Sequence, residues 1–296
     1  QACIEAIPTP RYDLIPRSRY NIPSVVTASR GCRRKCSFCS VPPIWGGHYR
    51  RPIDDVMRDV AAAPGKVLGF NDVDLCHDRD ATMELLAALT SAKRWWGGLA
   101  TMQVADDPEM LEALRRSGCK YLLVGMESFS TGSLREIRKG FNRVDQYREQ
   151  LAAFHAAGIS IQACIIFGFD DDDRDVFART VDHVAELKID IPRYSLLTPY
   201  PGTDLAARLE AEGRILSRNW DDYDTMHVVF EPAQMTATEL YDGFRWAYRK
   251  TFTVGHVLKR LMGWHGRGAV NMAGNLTYRR FVRRLYGEAR FAAPNS

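Results

Sequence analysis

The stretch SRGCRRKCSFCS, residues 29–40, sets Cys32, Cys36 and Cys39 in the spacing C-x3-C-x2-C. Arg33, Arg34 and Lys35 lie between the first two thiols, and Gly31 immediately precedes them. Thiols this close together, among this many cations, read as a ligand set rather than as core material. A structural zinc ion wants four ligands, commonly arriving as two separated pairs. No second pair follows here: His48 is the nearby imidazole, and Cys76 lies far along the chain. Three structural thiols in a loop are a further alternative. An iron–sulfur cube with three cysteinyl irons and one open iron fits better, because the open iron can bind a small molecule. Basic neighbours would favour the thiolates and offset the cluster's negative charge.

A site of that kind needs a scaffold, and composition bounds it. The chain has 296 residues, 46% hydrophobic and 26% charged, which allows one large domain with an appendage or two small ones. No run of about 18 apolar residues is present to span a bilayer. The N-terminus lacks Met and shows no signal-peptide succession, so it reads as trimmed or cut from something longer. Seven cysteines, an odd number, argue for reduced thiols and a cytoplasmic location rather than a disulfide framework. The net charge of +4 is too mild to imply nucleic acid.

From residue 22 to about 205, short apolar runs alternate with amphipathic stretches. Strands are expected at 24–29, 66–71, 98–104, 121–127, 159–169 and 191–197. Helices are expected near 52–63, 80–93, 107–117, 130–139 with 143–157, and 173–188, with Asp106 and Asp172 as N-caps and stops at Ser117-Gly118 and Ala157-Gly158. Such alternation implies a parallel sheet buried on both faces, with chemistry where strands end and helices begin. Six units are too few for an eightfold barrel, so a partial (β/α)6 TIM-like barrel is expected over 22–205. Residues 1–21 form a lead-in. Residues 206–296 form a separate α-rich C-terminal region with helical patterns at 204–212, 236–262 and 275–287.

The cysteine triad after the first strand of such a barrel resembles the signature of the radical S-adenosylmethionine (SAM) enzymes, over about residues 20–205. The resemblance implies a 4Fe-4S cluster whose fourth iron chelates the methionine portion of SAM. It further implies reductive cleavage of SAM to a 5′-deoxyadenosyl radical, with an electron donor such as flavodoxin or ferredoxin. Phe38 matches the aromatic residue the family often carries near the adenine. GMES, Gly125 to Ser128, resembles the fourth-strand motif, which would place Glu127 on the SAM amino group or ribose. GFND, ending in Asn71 and Asp72, stands where relatives carry Gly-Gly-Glu, and Gln103 is a further SAM or substrate contact. The turn Lys139-Gly140-Phe141-Asn142 resembles a family motif and is equally well read as a helix stop capped by Gly140. IIFGF, 165–169, resembles the fifth-strand segment against adenine, with Gly168 permitting close approach of a flat ring. The Asp170–Asp173 run reads as helix capping rather than a metal site. No catalytic side chain beyond the cofactor contacts is singled out.

Pro10 to Leu14, FNDVDL, PYPGT (199–203) and the tail from Trp220 to Leu240 resemble the cobalamin-associated branch, including hopanoid methylases, chlorosome-pigment methyltransferases and the anaerobic Mg-protoporphyrin ester cyclase. That implies methylation of a small lipophilic substrate, with cobalamin supplied by a domain this chain lacks: no Asp-x-His-x-x-Gly motif occurs in it. A cobalamin-free radical oxidation or rearrangement, and a non-catalytic iron–sulfur carrier, are the competing readings. Residues 245–290 hold eleven Lys or Arg against Glu288 alone. Arg279, Arg280, Arg283 and Arg284 would share a broad helix face with Tyr286, with Phe281 and Leu285 as an apolar stripe on another side. That surface is open to four readings: peripheral contact with anionic lipid, contact with nucleic acid, contact with a missing domain, or a solvated face.

Overall fold

The protein is described here as a computed structural model covering residues 4, 7–16, 19–20, 24–261 and 268–287. Much of the lead-in, together with Cys3, Arg267, Glu288, Arg290 and the side chain of Tyr286, lies outside the described residues. In chain order the elements are β1 (Val25–Val26), β2 (Ser29–Gly31), α1 (Val41–Trp45), β3 (His48–Arg50), α2 (Ile53–Ala62), β4 (Val67–Phe70), α3 (Arg79–Ala92), β5 (Trp95–Ala100), α4 (Pro108–Arg116) and β6 (Cys119–Glu127). There follow α5 (Thr131–Glu136), α6 (Tyr147–Ala156), β7 (Ser160–Phe167), α7 (Val176–Glu186), β8 (Ile191–Leu196), α8 (Asp204–Ala211), α9 (Ala237–Thr251), α10 (Val254–Leu261) and α11 (Gly268–Gly287).

The six apolar runs pair in the order β1-β4-β5-β6-β7-β8, all parallel, leaving β1 and β8 at the edges. This is the expected partial (β/α)6 TIM-like barrel. Leu122 and Val124 of β6 and Ile161, Ala163 and Ile165 of β7 are buried on one face of their strands. Tyr121, Leu123, Gly125, Cys164 and Ile166 on the other face are half-buried, so that face is less covered than the expected burial on both sides. Each buried Leu or Ile contributes about 1.5–3 kcal/mol.

Local chemistry moved several boundaries. The third run forms a strand at 95–100, and Met102–Asp106 closes into a 3-10 turn instead of extending it. The cap of α4 is Asp107, which accepts from Met110 N at 3.0 Å, while Asp106 accepts from Gln150. Asp172 does not cap α7: it accepts from Gly168 N at 2.8 Å and Phe169 N at 3.1 Å, closing the turn after β7. Burial raises its pKa to about 7. Asp170 pairs with Arg208 and Arg214, and Asp173 with Arg179. The left-handed residue at the stop after α5 is Arg138, φ 55°, so Gly140 is not the cap. The expected helix 236–262 breaks at Phe252 and Thr253 into α9 and α10.

The C-terminal helices share the barrel's core. The Tyr248 hydroxyl of α9 donates to Tyr194 O at 2.7 Å and accepts from Tyr194 N at 3.0 Å. Along α11, Asn271 donates to Asp190 Oδ1 at 2.5 Å, Asn275 donates to Asp190 O at 3.0 Å, and the Tyr278 hydroxyl accepts from Gln162 at 2.8 Å. Gly274 lies where a Cβ would collide with Ile191, the first residue of β8. Helix α11 therefore closes the end of the barrel where β7 and β8 begin. On the barrel side, the Asp190 carboxylate accepts from Ile161 N at 2.9 Å and faces His155 Nε2 at 2.9 Å.

Removing that carboxylate orphans buried donors on two elements. Asp190→Ala should lower unfolding free energy by about 2–4 kcal/mol, read from the denaturant midpoint. A loss below about 1 kcal/mol would show that water replaces the carboxylate.

Candidate functional site

The cysteines sit in a loop bracketed by an antiparallel ribbon in which Ser29 pairs with Arg50 and Gly31 with His48. Gly31 has φ 82°, and a Cβ there would collide with Gly47 O, so glycine is required where the chain turns into Cys32. Inside the loop, Cys39 N donates to Cys36 O at 3.1 Å. From outside, Ser37 N donates to Ile137 O at 3.1 Å, and Ser37 O accepts from Leu205 N at 2.9 Å. PYPGT serves this docking: Thr203 caps α8 by accepting from Ala206 N at 3.1 Å, and Gly202 faces Pro43. Cys32, Cys36 and Cys39 are free, half-buried, and line one cavity of about 210 Å³ with Phe38, Asp74, Gly125, Glu127, Lys139 and Cys164.

The floor of that cavity is an irregular strand end. Pairing between β6 and β7 slips after Gly125, which stands opposite Cys164, and Glu127 then takes φ 63°. A left-handed residue with a long side chain persists only where its surroundings over-determine it. Here Asn142 donates to Gly125 O at 2.8 Å and Met126 O at 3.1 Å, and the Tyr147 hydroxyl donates to Met126 O at 2.9 Å. The twist throws the Glu127 carboxylate inward, where its Oε1 accepts from Lys139 Nζ at 2.5 Å. Both residues are buried. A Cβ on Gly125 would collide with both charged groups, so the glycine leaves room for the pair. Burial works against the Lys139 charge, but Glu127 outweighs it and the ammonium is held above its ordinary pKa.

The thiols feel the same balance. Burial pushes Cys36 and Cys39 up, and Lys139 opposes it for both. Arg34 adds a backbone contact, its N–H facing Cys32 Sγ at 3.4 Å. The Arg34 side chain is committed elsewhere: it donates to Gln103 Oε1 at 2.8 Å, stacks on the Phe141 ring at 3.9 Å, and lies 3.5 Å from Asp74 Oδ2. Asp74 is buried, with His77 Nδ1 at 3.4 Å and no hydrogen-bond partner on either carboxylate oxygen.

The expected residues thus divide. Phe38, Gly125 and Glu127 line the cavity with the cysteines. Asn71 opens into an adjoining space of about 400 Å³ that shares Val41 and Val73 with the first. Gln103 is exposed and reaches the site through Arg34. Asp72 is not in the cavity lining: its carboxylate accepts from Ala28 N at 3.1 Å, Ser29 N, and Ser29 Oγ at 2.6 Å, and fastens the start of the cysteine loop. The Ser128 hydroxyl accepts from Ser130 N at 3.0 Å in a local turn. Gly168 has φ 108°, and the place of its missing side chain is filled by Leu240, Phe230 and Leu197. Sequence reasoning passed over Asp74 and Cys164. FNDVDL carries the signal for Asp74, since alternate acids follow β4, but nothing in the spacing says which one turns inward.

A family model described as the radical SAM superfamily matches residues 26–181, more than half of the chain. Bacteriochlorophyllide d C-12(1)-methyltransferase of Chlorobaculum tepidum is 33% identical over 245 residues, covering 80% of this chain and 53% of that protein. Hopanoid C-2 methylase of Rhodopseudomonas palustris is 27% identical over 220 residues, covering 71% of this chain and 42% of that one. The chain thus spans about half the length of these curated relatives. Among solved structures, the radical S-adenosylmethionine methyltransferase TsrM of Kitasatospora setae, with cobalamin and a [4Fe-4S] cluster bound, aligns with a TM-score of 0.60 at 17% identity, covering 84% of this chain and 52% of that one. This last likeness is one of fold.

The buried pair makes its own prediction. Lys139→Met leaves the Glu127 carboxylate without its cation and should cost about 3–5 kcal/mol of stability. Adding Glu127→Gln should restore most of that loss in the same unfolding measurement. If the double variant is no better than the single one, the cost lies in packing and not in charge.

Proposed function

Because the chain belongs to the radical SAM superfamily, we propose that it cleaves SAM reductively at a 4Fe-4S cluster held by Cys32, Cys36 and Cys39 to functionalise an unactivated carbon. The observation that carries the reading is geometric: three free thiols line the same cavity as the Glu127–Lys139 pair. Thiols sharing one cavity suit a polynuclear group with a side left open, and Gly125, Glu127 and Phe38 are the lining such a side would face. When bound, the cluster supplies the electron that breaks a carbon–sulfur bond of SAM.

The protein's share of that chemistry is positioning and charge. Glu127, paired through one oxygen with Lys139, offers its second oxygen to the SAM amino or ribose hydroxyl groups. Phe38 gives the adenine an aromatic neighbour. Asp74, buried and without a hydrogen-bond partner, replaces Asp72 as the strand-end carboxylate for the amino group. Arg34, clamped by Gln103 and Phe141, screens the cavity from water.

The methyltransferase names of the relatives support methylation of a lipophilic, isoprenoid or tetrapyrrole-like substrate. A reducing partner of the flavodoxin or ferredoxin kind is required in addition. Cobalamin, bound by TsrM, is the methyl carrier proposed here, and no described residue of this chain is assigned to it.

Anaerobic reconstitution should load about four irons per chain, and Cys36→Ala should fail to retain them. Dithionite and SAM should then yield 5′-deoxyadenosine. A tight, redox-silent zinc on the same cysteines would overturn the reading. The two acids separate by readout: Asp74→Asn should keep the cluster and weaken SAM binding by about 1–3 kcal/mol. Asp72→Asn should act on stability and cluster retention instead. The reverse pattern would return Asp72 to the cofactor.

A further inference from the structure

The stripe of Phe281 and Leu285 packs inward on the protein. Phe281 packs edge-on against Tyr248 and Tyr278, with ring centroids 5.6 and 6.1 Å apart, and Leu285 is buried. Among the described residues, the exposed apolar face is a different one. Leu258 of α10 and Met272 and Leu276 of α11 are 58%, 42% and 47% exposed, and together they line a groove of about 480 Å³. Arg279, Arg280 and Arg283 form its rim. Arg279 is steadied by donating to Phe252 O at 3.3 Å. Neither α10 nor α11 carries an Asp or Glu.

We infer that the groove between α10 and α11 docks on the surface of a bilayer containing anionic phospholipid. Exposed aliphatic side chains beside a one-sign cationic rim match the boundary between acyl chains and phosphate headgroups. A second copy of the chain would set the same arginines against one another, with no acid on either helix to receive them. A nucleic acid would meet the arginines but gain nothing from an aliphatic floor, which offers its bases no ring to stack on. Among the described residues no helix is long and apolar enough to cross a membrane, so the contact is peripheral. Helix α11 closes the end of the barrel where β7 and β8 begin, whereas the cysteine cavity lies where β6 ends. Docking therefore engages the end of the barrel opposite the cysteine cavity.

Co-sedimentation of the full chain tests this with vesicles of phosphatidylcholine alone and of phosphatidylcholine mixed with phosphatidylglycerol. Binding is expected to the mixed vesicles and to be lost at high salt. Arg280→Gln and Arg283→Gln should each weaken it about fivefold. Leu258→Ser with Leu276→Ser should weaken it at least about tenfold. These positions are exposed, and circular dichroism confirms that each variant is folded. The inference is overturned by absent binding, by equal binding to neutral vesicles, or by arginine variants that bind like wild type. It is equally overturned by a dimer in sedimentation velocity that Leu258→Ser abolishes, or by affinity for a mixed-sequence duplex that displaces the vesicles. Iron content and SAM cleavage, assayed without vesicles, report separately on the radical SAM reading.

Discussion

The end of β6 is the constraint on which the rest of the site depends. A carboxylate and an ammonium buried together gain little net stability, because desolvation consumes most of their attraction. Their position has to be fixed by the backbone, and it is. Glu127 points inward because it is left-handed after a slipped strand pair, and it stays so because Asn142 and Tyr147 satisfy the carbonyls that the slip exposes. Both donors follow α5, and so does Lys139. The segment 137–147 therefore supplies the cation, the hydrogen bonds that hold its partner and, through Ile137 O, an anchor for the cysteine loop. One short stretch of chain thus holds the ion pair and shares in anchoring the thiol loop, alongside Asp72 and Leu205.

Division of labour between neighbouring acids follows the same logic. Asp72 accepts two backbone amides and a hydroxyl, so it is a fastener: burial raises its pKa to about 6, and those hydrogen bonds oppose the rise. Asp74 lies two residues on, buried beside Arg34 and His77 with both oxygens lacking a hydrogen-bond partner. A buried acid with unspent acceptor capacity is costly in a resting protein. That cost is reasonable where a ligand's donors complete the set.

How far these features were legible in the sequence depends on the range of the interaction behind them. Strand–helix alternation survives in periodicity because burial acts on whole runs, so the barrel and most helices were readable to within a few residues. The C-x3-C-x2-C motif was readable because all three thiols sit in one loop. Glu127 was legible through a motif, but its partner Lys139 lies twelve residues on, behind a turn whose left-handed residue proved to be Arg138 instead of Gly140. Asp72 and Asp74 have equivalent local contexts. Only the amides of Ala28 and Ser29, more than forty residues earlier, decide which acid is spent. Gly168 shows the same range of interaction: the place of its missing side chain is taken by Leu240 and Phe230, more than sixty residues on.

The C-terminal region changes what each end of the barrel can do. In parallel barrels chemistry gathers where strands end, and stability is built where they begin. Here Asp190, Asn271, Asn275 and Tyr278 build a hydrogen-bonded closure across the beginnings of β7 and β8. Arg260, buried in the same closure, donates to Asn275 Oδ1 and Thr251 O, both at 2.7 Å, and burial lowers its pKa to about 10. One of the basic tail's cations is thus structural and belongs to the barrel's foundation. The exposed arginines of α11 stand on the outer side of that foundation. A helix that must bond to the barrel through Asn271, Asn275 and Tyr278 has its inner face specified, which leaves its outer face free to carry Met272, Leu276 and the arginine rim without cost to the site at the opposite strand ends.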